Sequence, residues 1–213
     1  DKESIESSIL DMFSTMLLDA DIETKSTCKR LLTSMILSDP RRVAASVDPR
    51  YQAWAGEIGE LEVREAIQAM FQRNDRSGLR GLFELFRQQS SVIAHLQELM
   101  ALHAESRCEL VLADSGDAVR CIEEVLAIKD DLDVTVTTCF FSDAACQRAR
   151  DRGVETALNK DTRCAKYLAL FCDFQLRKAL AERSDEEVMK LAAQVTGIFA
   201  HLRDKDIFLS VYK

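Results

Sequence analysis

Apolar residues recur at intervals of three and four along almost the whole of this chain, and little in it can stop a helix. Two prolines and seven glycines in 213 residues leave few turn formers. That scarcity argues for long helices on short connections and against any all-β fold. The expectation is an all-α protein of about ten helices, arranged as consecutive antiparallel bundles.

Several elements can be placed from local pattern. Ile5, Ile9, Met12, Phe13, Met16 and Leu17 make one helical face. From Ser26 a second stripe runs through Cys28, Leu31, Leu32, Met35 and Ile36, after which Asp39-Pro40 supplies an N-cap and a first-turn proline. Val43, Val47, Tyr51 and Trp54 are helically spaced, but Asp48-Pro49 falls inside that pattern and predicts a kink or break. Gly56 and Gly59 bracket an expected boundary, a helix resumes over residues 61–71, and Asn74-Asp75-Arg76-Ser77-Gly78 reads as a connection. Two short, closely joined helices are expected next, one through Leu82, Phe83, Leu85 and Phe86, the other through Val92, Ile93, Leu96, Leu99, Met100 and His103. Leu110 to Ala113 can continue a helix, and Asp114-Ser115-Gly116-Asp117 ends it and caps the following one.

Local propensity and periodicity then disagree. Val134-Thr135-Val136-Thr137-Thr138 is a β-branched run that reads as a strand by itself. Ile122, Val125, Lys129, Leu132, Val136, Cys139 and Phe140 nevertheless keep a helical seam whose one breach is a lysine able to snorkel, so a helix through Cys139 is expected. A weak helix follows over residues 143–158, with Gly153 inside it. A strong one opens at Asp161 and presents Cys164, Tyr167, Leu168, Phe171, Cys172, Gln175, Leu176 and Ala179. Ser184-Asp185-Glu186-Glu187 has the form of a capping box and starts a long helix through Leu191, Val195, Ile198, Phe199 and Leu202. A polar knot, Arg203 to Asp206, precedes a last stripe of Ile207, Phe208, Val211 and Tyr212. The chain stops in the middle of that stripe, and Asp1-Lys2-Glu3-Ser4 opens without methionine or a signal-peptide pattern, so both ends are expected to be cut from a longer protein.

Composition narrows the chemistry. The net charge is −8, and the basic groups Arg41-Arg42 and Arg148, Arg150, Arg152 are flanked by acids. They are expected to be solvated helix faces, not a nucleic-acid surface. Apolar runs fall well short of the roughly 20 residues that cross a bilayer. Seven cysteines without a C-x-x-C pair, most in phase with apolar neighbours, predict free thiols acting as small hydrophobes in the cytosol or nucleus. His95, His103 and His201 lack ligand spacing, no phosphate-loop, nucleophile-elbow or dinucleotide pattern occurs, and neither metal nor cofactor is expected. Glu123-Glu124 and Glu186-Glu187 point about 100° apart on a helix and read as surface or cap residues. Cys108, beside Arg107, is the best-placed candidate for an activated thiol.

The last stretch carries a resemblance. An aliphatic helix running into Asp204-Lys205-Asp206-Ile207-Phe208 and then Tyr212-Lys213 resembles the cullins, the elongated helical scaffolds of multisubunit ubiquitin ligases. Asn159-Lys160, Ala165-Lys166-Tyr167, Phe174 to Lys178, and Phe140-Phe141-Ser142-Asp143 are similar to further stretches of that family. The likeness runs from about Ile67 to Lys213. Cys146 in place of a phenylalanine, Gly197 inside an aliphatic helix, and no serine-rich insertion between Asn159 and Asp161 mark a divergent member.

The resemblance implies an elongated rod of five-helix repeats. Residues 1–58 would end one repeat, and residues 59–213 would be the third, truncated at its C-terminal end. It implies a non-catalytic scaffold whose substrate receptor or adaptor, RING subunit and ubiquitin-like modifier all bind outside these residues. Asp204, Lys205, Asp206, Ile207, Phe208 and Tyr212 are then structural motif residues, with no catalytic, cofactor or metal site. The alternative reading is a helical tether or lid-type interaction scaffold, which shares the all-α pattern but has no reason to carry that motif. A helical enzyme acting through a thiol is a third.

Overall fold

The computed structural model describes residues 2–46, 48–114, 116–182 and 184–212, with backbone alone for 2–6 and 178–182. Among them are twelve helices and no strand. They are α1 (Lys2–Asp19), α2 (Ile22–Ser38), α3 (Pro40–Ala45), α4 (Pro49–Ala55), α5 (Glu60–Gln72), α6 (Arg76–Phe86), α7 (Ser90–Asp114), α8 (Ala118–Cys139), α9 (Ala144–Lys160), α10 (Arg163–Glu182), α11 (Asp185–His201) and α12 (Lys205–Val211). The chain forms two compact units, residues 1–96 and 97–213, divided inside α7. The repeat boundary expected near residue 58 concerns repeats and not these units. At that place the structure has a turn, with α4 closing at Gly56 and Gly59 starting α5.

The first unit combines two helices of 17 and 18 residues with shorter ones, several of them locally capped. Asp39 accepts from the Arg42 N–H and Asp48 from the Arg50 N–H, each followed by a proline in the first helical turn. The pattern around Asp48-Pro49 therefore resolves as a clean break between α3 and α4. The expected connection at residues 74–78 is shorter than predicted, because the Asp75 carboxylate caps the Gly78 N–H and draws Arg76 to Gly78 into α6. α3 lies close along α6, where a β-carbon on Gly81 would meet the Arg41 backbone N at 2.1 Å. Ile36, Val63, Ile67, Met70, Leu82, Phe86 and Leu96 form the core.

The predicted face of α1 is turned from its expected direction. Leu10 is the buried residue, while Ile9, Met12 and Met16 are exposed. This helix packs mainly along α2, which covers one stripe of an apolar surface wider than a stripe. Leu31 of α2 is exposed, with Cys28, Leu32 and Ile36 inside. Ile5, Val47 and Ala179 of the expected stripes lie outside the described side chains.

The second unit has long helices. α7 runs for 25 residues where a short helix was expected, because no cap or breaker interrupts it before Asp114. α8 is helical through the whole β-branched run, with Thr135 and Val136 buried and the Thr135, Thr137 and Thr138 hydroxyls donating to carbonyls four residues back. Packing of its seam overrides strand propensity. The turn to α9 passes through Phe141 and Ser142 at φ 51° and 58°, left-handed backbone that side chains other than glycine seldom adopt. Phe140 is fully buried beneath that turn, and Asp143 caps α9 through the Ala145 and Cys146 N–H groups. Gly153 lets α9 approach α7, since a β-carbon there would meet the Ala101 carbonyl oxygen at 2.2 Å. On α10 Cys164, Leu168, Phe171 and Gln175 are buried as expected, but Leu176 is exposed. The capping box of Ser184 and Glu187 forms at the start of α11.

Candidate functional site

The sequence motif of residues 204–208 and 212 becomes the start and body of α12, and the structure gathers part of it. Asp204 is the N-cap residue by position, without a side-chain cap bond, and both Asp204 and Asp206 face solvent. Lys205 sets its ammonium 5.5 Å from the centre of the Phe199 ring. Phe208 folds back on α11, its ring centroid 4.9 Å from that of Phe199, and Tyr212 stacks on Phe208 at 5.6 Å with planes 11° apart. Ile207 and Phe208 are half-buried, while Tyr212 remains 45% exposed. α12 also packs against α10. Phe199, Lys205, Phe208 and Tyr212 thus form one column, and the two aspartates stand outside it.

What aims α12 is a residue that carried a resemblance in the sequence but no role. The Asn159 amide on α9 donates to the Glu155 carbonyl at 2.7 Å and to the His201 carbonyl at 2.8 Å, and its oxygen accepts from the Arg203 N–H at 2.8 Å. Both hydrogen-bonding ends of one side chain are used, two of the three bonds falling on the link between α11 and α12. Leu202, buried between those two bonded residues, closes the joint. A side chain that satisfies backbone groups on both sides of a turn fixes the direction of the helix that follows.

A polar chain continues from this joint. His201 Nε2 stands 3.9 Å from the Asp151 carboxylate, Asp151 receives Arg150 at 2.7 Å, Arg150 also contacts Asp133, and Lys129 reaches Asp133 at 3.1 Å. α11, α9 and α8 are so tied in sequence. Arg150 corrects an expectation: its side chain is only 14% exposed, whereas Arg148 and Arg152 are the solvated residues of that series. Lys129 is the snorkelling lysine, its stem in the seam and its ammonium on Asp133. Beyond these, Lys160 bridges Glu105 and Glu109, Arg107 pairs with Asp131 at 2.5 Å, and Arg163 donates to the Leu112 carbonyl at 2.9 Å.

Burial raises the pKa of several thiols. Burial pushes Cys108, Cys146 and Cys164 each up to about 12. For Cys108 the lowering by Arg107 is outweighed by burial, and Arg107 is itself paired with Asp131. The candidate activated thiol is therefore a core residue, and none of the seven cysteines is in a disulfide. Among the described residues no three histidine, cysteine, aspartate or glutamate side chains are grouped to hold a metal ion. His103 is pushed down to about 4, first by burial and then by Arg107. The cavities are open grooves, one of about 540 Å³ beside Leu110 and Asp114, another of about 460 Å³ between α8, α10 and α11. The arrangement offers shape and fixed helix directions.

Residues 52–213 match the family model described as the cullin alpha solenoid domain. The chain is 28% identical to Cullin-3B of Arabidopsis thaliana over 135 residues, which is 62% of this chain and 18% of that protein. It is 30% identical to Cullin-3 of Caenorhabditis elegans over 95 residues, 45% of this chain and 12% of that protein. Against Cullin-4A of Mus musculus the identity is 22% over 189 residues, 86% of this chain and 24% of that protein. The chain spans about a fifth of the length of the curated relatives it matches.

Proposed function

Because the chain belongs to the cullin family, we propose that it is a non-catalytic rigid spacer of a multisubunit RING-type ubiquitin ligase. It holds a substrate receptor and a RING subunit with its conjugating enzyme at a fixed separation. A spacer needs no reactive group; it needs helices that neither slide nor hinge. The observation that carries this reading is the Asn159 clamp, which bonds the backbone on both sides of Leu202 and so fixes α12 against α9.

On this proposal residues 1–58 end one helical repeat and residues 59–213 form the third; the turn from Gly56 to Gly59 supports the division. Receptor or adaptor, RING subunit and ubiquitin-like modifier bind the longer protein outside these residues. Neither nucleic acid nor membrane is a partner. A net charge of −8 supports the first, and the second is supported by described helices none of which is long and apolar enough to cross a membrane. Seven cysteines outside any disulfide, six of them buried, fit the reducing cytosol or nucleus.

The test is made in the full-length protein, with a flexible glycine-serine segment of about six residues inserted between Leu202 and Arg203. Receptor and RING subunit are expected to co-purify as before, while ubiquitin transfer to substrate in the reconstituted ligase falls by about tenfold or more, because lost positioning costs rate. Undiminished transfer refutes the rigid spacer. Solution scattering of the 213-residue chain is expected to give a radius of gyration clearly above the roughly 17 Å of a compact domain of this length.

A further inference from the structure

The groove of about 460 Å³ between α8, α10 and α11 has a composition that the spacer role does not use. Leu126 and Phe171 close its bottom and Leu191 forms a half-buried wall. Among the described residues its rim is acidic: Glu123 and Asp130 on α8 and Glu187 on α11, against the one cation Lys190. Glu123 and Asp130 are seven residues apart, two helical turns, so both edge the groove along about 10 Å of α8.

The partners of those two acids differ from those of several carboxylates on the same and neighbouring helices. Asp131 receives Arg107, Asp133 receives Lys129 and Arg150, and Glu105 and Glu109 receive Lys160, so each of these carboxylates faces a cation. Glu123 instead accepts from the Gln175 amide at 3.2 Å and Asp130 from the Gln194 amide at 3.0 Å. Gln175 is buried, so it is held in place to make that bond. An amide orients a carboxylate without cancelling its charge. The result is a pair of positioned negative charges over an apolar floor. Asp185 and Glu186, both exposed in the first turn of α11, extend the same field beyond the groove.

We propose that this groove docks a short basic amphipathic helix of a partner protein. Such a helix would insert one or two large aliphatic or aromatic residues at helical spacing between Leu126, Phe171 and Leu191, and set flanking lysines or arginines on Glu123 and Asp130. Charge complementarity selects this occupant: the rim repels acidic segments and favours cationic ones, which also speeds encounter. A wholly apolar segment would leave the two oriented carboxylates desolvated without a counter-charge. The inference does not depend on the spacer role.

The probe is a fluorescein-labelled peptide of about 14 residues, four helical turns, with leucines at helical spacing and lysines elsewhere. A glutamate-for-lysine counterpart and a scrambled lysine-leucine peptide are the controls. With the 213-residue chain, anisotropy is expected to show saturable binding of the lysine peptide that weakens at least about tenfold between about 0.05 and about 0.3 M salt. Hydrogen exchange is expected to place protection on residues 123–130 and 187–194. The double variant Glu123→Lys, Asp130→Lys should weaken binding about tenfold or more. The pair Glu123→Gln, Asp130→Asn, which removes charge without reversing it, should weaken it about threefold, with unchanged circular dichroism showing that the fold is intact. Reversal of Glu62 and Glu65, exposed acids of the first unit, should leave binding within about twofold. The proposal is overturned by no saturable binding, by equal binding of the glutamate or scrambled peptide, by protection elsewhere, or by equal loss on reversing Glu62 and Glu65. Sedimentation showing a dimer whose protection covers the groove would also overturn it, making a second copy the occupant.

Discussion

Residues 1–96 and residues 97–213 both set helix ends locally, and they differ in how much of their helix placement rests on polar ties between residues far apart in sequence. In the first unit, helix ends are set within a few residues of themselves: Asp39, Asp48 and Asp75 each cap the helix they precede, and prolines begin α3 and α4. In the second, helix placement rests also on polar ties that join residues far apart in sequence, Asn159 to His201 and Arg203, Arg150 to Asp133, Lys160 to Glu105 and Glu109. Six of the seven cysteines belong to this second unit. The contrast teaches that a helical scaffold needs two kinds of instruction. Where a helix ends can be written locally, whereas where it points must be enforced by another helix.

The largest effects are expected where the two units are alike. Gly81 and Gly153 each sit where a β-carbon would strike backbone that has no flexible end to yield. Gly81→Ala and Gly153→Ala should each cost about 3 kcal/mol, the upper part of the range for overpacking. Hydrogen exchange should show the loss confined to residues 1–96 for the first and to 97–213 for the second. Global loss from either would mean that the units unfold as one.

Next comes the terminal helix. Phe208→Ala should destabilise the chain by about 2 kcal/mol, since Phe208 covers Phe199, while the half-exposed Tyr212 should cost little on replacement by alanine. Equal effects in denaturant titration would mean that α12 is not docked through Phe208. The local and distant ties are then compared directly. Asn159→Ala removes bonds to three backbone groups and should cost about 2 kcal/mol, against about 1 kcal/mol for the cap lost in Asp75→Ala. A cap worth more than the clamp would reverse the contrast between the units.

Acid should act on the second unit through His103. Its folded value near 4 lies below the ordinary 6.5 because burial, and then Arg107, disfavour the imidazolium. Between those values the unfolded chain binds a proton that the folded chain does not, so the contribution is full above about pH 6.5 and lost as pH falls to about 4. Thermal melts of His103→Gln should therefore fall less steeply over that window than those of the parent chain. The smallest effect has the opposite sign: at Gly197 the nearest atom to a new β-carbon is the Lys129 side chain at 3.8 Å, so Gly197→Ala should raise stability by about 0.5–1 kcal/mol.

Much of this was legible in the chain before folding, and the limit has a physical origin. The breaks at Asp39-Pro40 and Asp48-Pro49, the box of Ser184 and Glu187, and the helix through Val134 to Thr138 follow from residues at fixed offsets or from a repeating period. Those signals are local, so sequence contains them. The cullin likeness was equally local, resting on the run from Asp204 to Phe208 and on stretches upstream of it, and the family match over residues 52–213 agrees with it.

Direction and depth were another matter. That Arg150 turns inward while Arg148 and Arg152 do not, that Leu31 and Leu176 face water, and that Leu10 and not Ile9 is buried all depend on which neighbour lies against each helix. A helical face wider than its neighbour leaves a remainder exposed, and sequence spacing cannot say which part. Asn159 is the sharpest instance. Its identity was noticed, yet its work is done on His201 and Arg203, 42 and 44 residues away. The sequence by itself determined the helices, their caps and the family; only the tertiary structure decided the crossings at Gly81 and Gly153, the burial of the thiols and the aim of α12, because those are fixed by contacts between elements and not by any period within one.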